Sequence, residues 1–314
     1  MARKEAMQER EINIARVDWY HGGEYTKPLV FVSDRPSEAT YDYHLKEDNS
    51  LPAMYGIEVE TQNWGIKEQT IYANVLKHIC FSTFHKDLWK IERDGSLEGN
   101  CDSFAECITQ PMTKAYIRNH YRDFKAMWKY FKEFGISCDK TGDCGMHVHI
   151  SNTCFGRTDK TQEEAIRKFL YIVNKHYDLM VRLVYRNPSV TGYCPQMRKL
   201  TKKEYAQSVN LQYFDNDHYV CINMGHYMEG NIELRLVGGQ KNYACFRNTM
   251  ECVFHLVEAC KRISWNDCDS IVRIFKGCNQ YVFDRLATMV LDAGQITTTE
   301  LEAIKATIKT ENLL

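Results

Sequence analysis

Six short runs between residues 54 and 238 alternate polar and apolar positions: MYGIEVET (54–61), DLWKIERD (87–94), SFAECITQ (103–110), GMHVHISN (145–152), HYVCINMG (218–225) and NIELRLVG (231–238). Two-residue alternation bounded by Gly, Pro, Asp or Asn predicts strands. Apolar residues recurring at three and four predict helices over 67–83, 113–134, 161–186, 240–263, 267–289 and 298–312. Thr113, just after Pro111, opens the second of these and Gly135 closes it, while Thr298 and Thr299 are candidate caps for the last. Residues 1–50 mix charge, aromatics and turn formers around one further strand candidate, KPLVFVSD, and read as an N-terminal extension packed on a single main domain spanning 51–314. Strands and helices are mixed without a spacing that compels a parallel doubly wound sheet, so the fold class is α+β.

Side chains alternate across a strand, and three of the runs share a design. In YGIEVE, Ile57 and Val59 take one face and Glu58 and Glu60 the other. In GMHVHI, Met146, Val148 and Ile150 leave His147 and His149 opposite; in NIELRLV, Ile232, Leu234 and Leu236 leave Glu233 beside Arg235. An antiparallel sheet with one packed and one wet face explains any single strand of this kind. The recurrence of Glu, His and Arg is less easily explained that way, because wet strand faces favour Thr, Lys, Ser and Gln. Two carboxylates join the set. Asp94 stands before a Gly-Ser turn, where turn chemistry accounts for it as well as function does, and Glu106 lies inside a strand between Phe104 and Ile108.

Composition narrows the setting. The chain has 314 residues, 44% hydrophobic and 26% charged, with a formal net charge of −1; this is an ordinary globular composition with no global bias toward nucleic acid or anionic membrane. No apolar run reaches the roughly 18 residues that span a bilayer, and MARKEAMQEREINIAR lacks a signal-peptide core, which predicts a cytoplasmic protein. Thirteen cysteines, several at core-like positions such as Cys245, Cys252 and Cys260, read as reduced thiols.

Carboxylates with one or two imidazoles on one sheet face suit two divalent cations about 3.5–4 Å apart, the clamp used on phosphoryl groups. Oxygen-rich ligation favours Mg²⁺, and an imidazole also admits Mn²⁺. Arg235 beside a ligand carboxylate is placed to neutralise a phosphate or a substrate carboxylate. The P-loop, the kinase motif set, H-E-x-x-H and C-x-x-C are all missing from the sequence. The basic, turn-rich stretch 185–207 reads as a loop that offers Arg186 and Arg198 to a nucleotide or substrate. The aromatic and Met positions of 116–134 read as the core side of a helix.

The order YGIEVE, then WKIERDGSL with FAECITQP, then CGMHVHIS, then NIELRLVGG resembles the amidoligase family of the glutamine synthetase and glutamate-cysteine ligase superfamily, over roughly residues 54–260. CGMHVHIS also resembles the G-M-H-V-H segment of glutamine synthetase. The resemblance implies a curved antiparallel sheet of the glutamine synthetase catalytic type, with helices on its convex side and ATP and Mg²⁺ on its concave face. It implies an ATP-dependent ligase joining a carboxylate donor to an amine acceptor, which could be a small molecule, a peptide or a protein side chain, through an acyl phosphate. By position, Glu58, Glu60, Glu106, His147 and Glu233 match metal ligands, His149 a residue near the ATP phosphates, and Arg235 a phosphate or substrate contact. Asp94, Glu60 and Arg235 are the candidates for catalysis, and His149, Arg235, Arg198 and Arg186 for nucleotide binding. Three alternatives stand beside this reading: a phosphotransferase on the same fold, a metal-dependent hydrolase using His147 and His149, and a non-catalytic binding protein. Assembly into oligomers is left open.

Overall fold

A computed structural model of the chain describes residues 28–30, 53–62, 89–92, 104–109, 111–138, 144–187, 189, 192, 194–208, 211, 219–294 and 296–309. They fall into two compact units. The first contains the strand at 28–30, Gly56–Met146 and Gly239–Tyr243, and the second contains Leu45–Tyr55, His147–Gly238 and Ala244–Leu314. The predicted helix 67–83 and Asp94 lie outside the described residues.

In the first unit, β1 (Pro28–Val30), β2 (Met54–Gln62, from Gly56 on), β3 (Trp89–Glu92) and β4 (Phe104–Thr109) run antiparallel in the order β1–β3–β4–β2, and β5 (Met112–Thr113) pairs with β2. The alternation in β2 is realised: Ile57 and Val59 are wholly buried. Thr113 caps α1 (Lys114–Asn119), its hydroxyl accepting from the Tyr116 N–H at 3.1 Å. The helix predicted over 113–134 breaks at His120, whose Nδ1 bonds the Tyr116 carbonyl at 2.8 Å and whose ring stacks on Tyr116. The chain resumes as α2 (Tyr121–Phe134) and ends, as predicted, at Gly135 with φ 74°. Phe124, Met127 and Phe131 on α2 are buried, worth about 1.5–3 kcal/mol each in area removed from water. Trp128 Nε1 donates to the Gln240 carbonyl at 2.9 Å, so the one polar atom of the indole is also satisfied.

The second unit contains β6 (Gly145–Ser151, from His147), β7 (Ile222–Asn223) and β8 (Asn231–Gly238) in the order β6–β8–β7, with β7 antiparallel to β8. Its helices are α3 (Asp159–Lys175), α4 (Tyr177–Leu183), α5 (Lys202–Gln207), α6 (Tyr243–Arg262, from Ala244), α7 (Ile271–Phe275), α8 (Gln280–Ala293) and α9 (Thr298–Lys305). The predicted helix 161–186 is two helices, broken at His176, and 267–289 is also two, separated by Gly277 at φ 70°. The stretch 185–207, read as a loop, contains α5, held by a reciprocal capping box between Thr201 and Glu204. Thr297, rather than Thr298 or Thr299, caps α9, paired with Glu300.

Both units combine helices with antiparallel strands, so the α+β class holds. Every described cysteine is buried. Among the described residues no helix is long and apolar enough to cross a membrane.

Candidate functional site

Burial decides first between a wet sheet face and a functional one. Glu60, His147 and Glu233 are only 6%, 6% and 3% exposed. The ionisable faces of β2, β6 and β8 are therefore covered at these positions, contrary to the wet-face account. Burying a carboxylate costs several kcal/mol unless it is paired and hydrogen-bonded, so the partners of each one matter.

In the first unit, Glu60 stands directly opposite Glu106 in the β2–β4 ladder, and Glu106 stands opposite Glu92 in the β3–β4 ladder. Like charges directly opposed across a ladder repel each other. Glu60 accepts a hydrogen bond from the Gly145 N–H through Oε2, which ties its carboxylate to the start of β6. Glu58, two residues earlier on the same face of β2, is half-buried, as is Glu106. Behind this row burial pushes the Cys107 thiol up to about 12, so the thiol stays neutral.

In the second unit, Glu233 on β8 gathers three partners. Its Oε1 accepts from Arg235 Nη1 at 2.6 Å and lies 3.3 Å from His147 Nδ1, and its Oε2 accepts from Asn223 Nδ2 at 2.8 Å. Strand geometry accounts for each contact. Glu233 and Arg235 are two apart on one face of β8, Asn223 is its cross-strand partner on β7, and His147 lies on the neighbouring β6. Arg235 Nε is buried with no hydrogen-bond partner among the described residues, so the guanidinium has a donor left for an anion.

Further along the same strands, His149 Nδ1 donates to Asn231 Oδ1 at 3.2 Å, and its ring centroid lies 6.0 Å from that of His226. The two arginines from the basic stretch differ. Arg198 is exposed, and its carbonyl accepts from Asn174 Nδ2. Arg186 is buried, with Nε on the Leu236 carbonyl and one Nη on those of Arg235 and Val237, so most of its guanidinium holds the end of β8.

The structure thus brings Glu60 and Glu106 together in one unit, and His147, Glu233 and Arg235 together in the other. Sequence reasoning missed Asn223. The signal was present in HYVCINMG, where Val220, Ile222 and Met224 take one face and leave Asn223 as the polar residue of the other.

No protein-family model matches the chain, and no curated protein matches it. Among solved structures it is similar to a bifunctional glutathione synthetase from Pasteurella multocida, at 11% identity and a TM-score of 0.40. The match covers 85% of this chain and 48% of that one, so the chain spans about half the length of this neighbour.

Proposed function

We propose that the protein is an ATP-dependent carboxylate–amine ligase of the amidoligase type, which activates a carboxylate as an acyl phosphate and passes the acyl group to an amine. The observation that carries this reading is the burial of Glu233 with His147, Arg235 and Asn223 around it. A buried cluster of this kind is costly and is a weak source of stability.

The metal set is Glu58, Glu60, Glu106, His147 and Glu233. Within it, Glu58, Glu60 and Glu106 offer carboxylates in the first unit, and His147 and Glu233 an imidazole and a carboxylate 3.3 Å apart in the second. The donors are oxygen-rich with a single imidazole, which fits Mg²⁺ and tolerates Mn²⁺. The opposed carboxylates of Glu60 and Glu106 add a reason for a cation, since one would offset their repulsion. When bound, such ions supply charge neutralisation for phosphoryl oxygens.

The chain's own residues do the rest. Arg235 is anchored by Nη1 to Glu233 and presents its remaining donors to the phosphoryl group in transfer, and then to the oxyanion formed when the amine attacks. His149, with Nδ1 held by Asn231, is assigned to the ATP phosphates. Glu60 fixes the start of β6 through Gly145 while serving the cation set, and Asp94, in the sequence Asp-Gly-Ser, is assigned a supporting catalytic role. Arg198, exposed ahead of α5, is the nucleotide contact from the basic stretch, while Arg186 supports β8.

The test is hydroxylamine trapping. The protein is incubated with ATP, Mg²⁺, hydroxylamine and a pool of carboxylic acids, and should form hydroxamate together with ADP and phosphate, with Glu233→Gln abolishing both. A stable phosphorylated carboxylate or guanidine without hydroxamate would mean a phosphotransferase. Absence of ATP binding by the intact protein would sink the ligase reading.

A further inference from the structure

An acyl phosphate does not react with an ammonium group. The attacking amine must lose a proton, and none of the residues assigned above takes it. We infer that His226, oriented by Glu229, is the general base for the amine; this inference rests on the ligase reading.

Three features of the second unit carry it. First, His226 Nδ1 donates to Glu229 Oε2 at 2.9 Å. A carboxylate accepts and cannot donate, so in the neutral ring this bond places the proton on Nδ1 and leaves the lone pair on Nε2, which has no hydrogen-bond partner among the described residues. Second, the dyad is held rigidly. The short 3-10 turn Tyr227–Glu229 ends at Gly230, whose φ of 95° suits glycine and turns the chain into β8. The Glu229 and Asn231 N–H groups both bond the His226 carbonyl, at 3.0 and 3.2 Å. Asn152, just after β6, clasps the turn from the side: its N–H bonds the Gly230 carbonyl at 2.8 Å and its Nδ2 the Tyr227 carbonyl at 3.0 Å. Third, the dyad borders the proposed phosphate end of the site. The His226 ring faces His149, two residues along β6 from His147, and Asn231, which holds His149, lies two residues before Glu233 on β8.

His226 and Glu229 are also accessible, with side chains 42% and 68% exposed. His147 and Glu233 are covered, whereas the dyad is open to an amine carried on a bulky acceptor. The titratable groups facing His226 are Glu229 on its own turn and His149 from β6. Asp159, Glu163 and Arg167 of α3 lie near Tyr227 on the same turn.

The step balances. The amine enters as its ammonium form, His226 Nε2 takes one proton, and the nitrogen lone pair attacks the acyl-phosphate carbon. The C–N bond forms as the carbon–oxygen bond to phosphate breaks, inorganic phosphate leaves with the bonding pair, and the second nitrogen proton passes to water.

Hydroxylamine is largely neutral near pH 7, whereas alkyl amines are protonated, and this contrast supplies the test. Wild type, His226→Gln, His226→Gly and Glu229→Gln are given ATP, Mg²⁺ and pooled carboxylates, with hydroxylamine in one arm and methylamine, glycine and N-acetyl-lysine in the other. Products are measured by mass spectrometry from about pH 6 to about pH 9. His226→Gln should lose roughly 10²–10⁴-fold in transfer to alkyl amines and far less in hydroxamate formation. The acidic limb of the alkyl-amine pH profile should disappear, and free imidazole should restore transfer to His226→Gly. Glu229→Gln should show a smaller loss with the same acceptor selectivity. An equal loss with both acceptors, or no loss with alkyl amines, overturns the assignment of His226 while leaving the ligase reading intact. Failure of the wild type to form hydroxamate overturns the ligase reading itself, and this inference with it.

Discussion

Glu233 is the residue on which the most chemistry converges, and its environment makes separable predictions. It is 3% exposed and bonded by Arg235 at 2.6 Å, so removing the guanidinium takes a countercharge from a buried carboxylate that Asn223 and His147 still contact. Arg235→Gln should cost about 3–5 kcal/mol in urea unfolding, and the double variant Glu233→Gln/Arg235→Gln should be more stable than Arg235→Gln alone, because it also removes the buried negative charge. A double variant as unstable as the sum of its parts would mean that the two groups do not interact. Gly238, at the end of β8, is a steric counterpart. A Cβ there would sit 2.5 Å from the Tyr185 carbonyl oxygen and 2.6 Å from Arg186 Cα. Both are backbone atoms that cannot swing aside, and Tyr185 is already held at φ 62°. Gly238→Ala should therefore cost about 1–3 kcal/mol by overpacking, read as a lower urea midpoint with an unchanged slope.

At the scale of elements, the interruptions of the helices are as informative as the helices. The apolar periodicity of 161–186 runs on through His176, yet the chain breaks there into α3 and α4, and His176 Nε2 bonds the Cys268 carbonyl at 3.2 Å. Burial is the largest influence on this imidazole and depresses its pKa below the usual 6.5, outweighing the carbonyl bond that raises it; Lys175 lowers it further and Asp269 opposes. The neutral ring is the form the fold holds. Its stabilising contribution is present above about pH 6.5 and is lost as pH falls through the lower folded value. The wild type should lose more stability between about pH 7.5 and about pH 5.5 than His176→Gln, whose amide keeps a donor for Cys268 but does not titrate. Equal pH dependence in urea titrations of the two proteins would rule this out. Periodicity alone could not reveal such breaks, because the apolar positions continue across His120, His176 and Gly277, while what marks each break is a single side-chain bond, His120 to Tyr116 or His176 to Cys268, or the φ angle of one glycine. Strands were more legible. Alternation placed β2, β6 and β8 within a residue of their bounds and assigned Glu60, His147 and Glu233 to one side of each. It did not reveal that this side is covered, since burial depends on what packs over a strand and not on the strand's own sequence. Asn223 and His226 were missed for a related reason: alternation gives Asn223 a face but not its cross-strand partner Glu233, and His226 stands at a turn, which leaves no periodic trace.

For the molecule as a whole, the net charge of −1 hides carboxylates gathered on β2 and β4 in the first unit and Glu233 buried on β8 in the second, with burial raising the cost of keeping Glu60 and Glu233 charged. If that cost is the signature of a cation site, the folded chain binds the ion and the unfolded chain does not, so Mg²⁺ must stabilise the fold by mass action. At a concentration about 100 times its dissociation constant the gain is about 2.7 kcal/mol. Thermal unfolding should therefore move upward with Mg²⁺ in the absence of ATP, and EDTA should reverse the shift. Glu60→Gln and Glu233→Gln should each flatten the response even where the variant is intrinsically more stable, because relief of carboxylate repulsion and loss of ion binding pull in opposite directions. That opposition makes the measurement diagnostic. A site whose carboxylates serve only the fold would lose stability on substitution and show no Mg²⁺ response before or after, whereas a cation site exchanges metal-dependent stability for metal-independent stability in a single substitution.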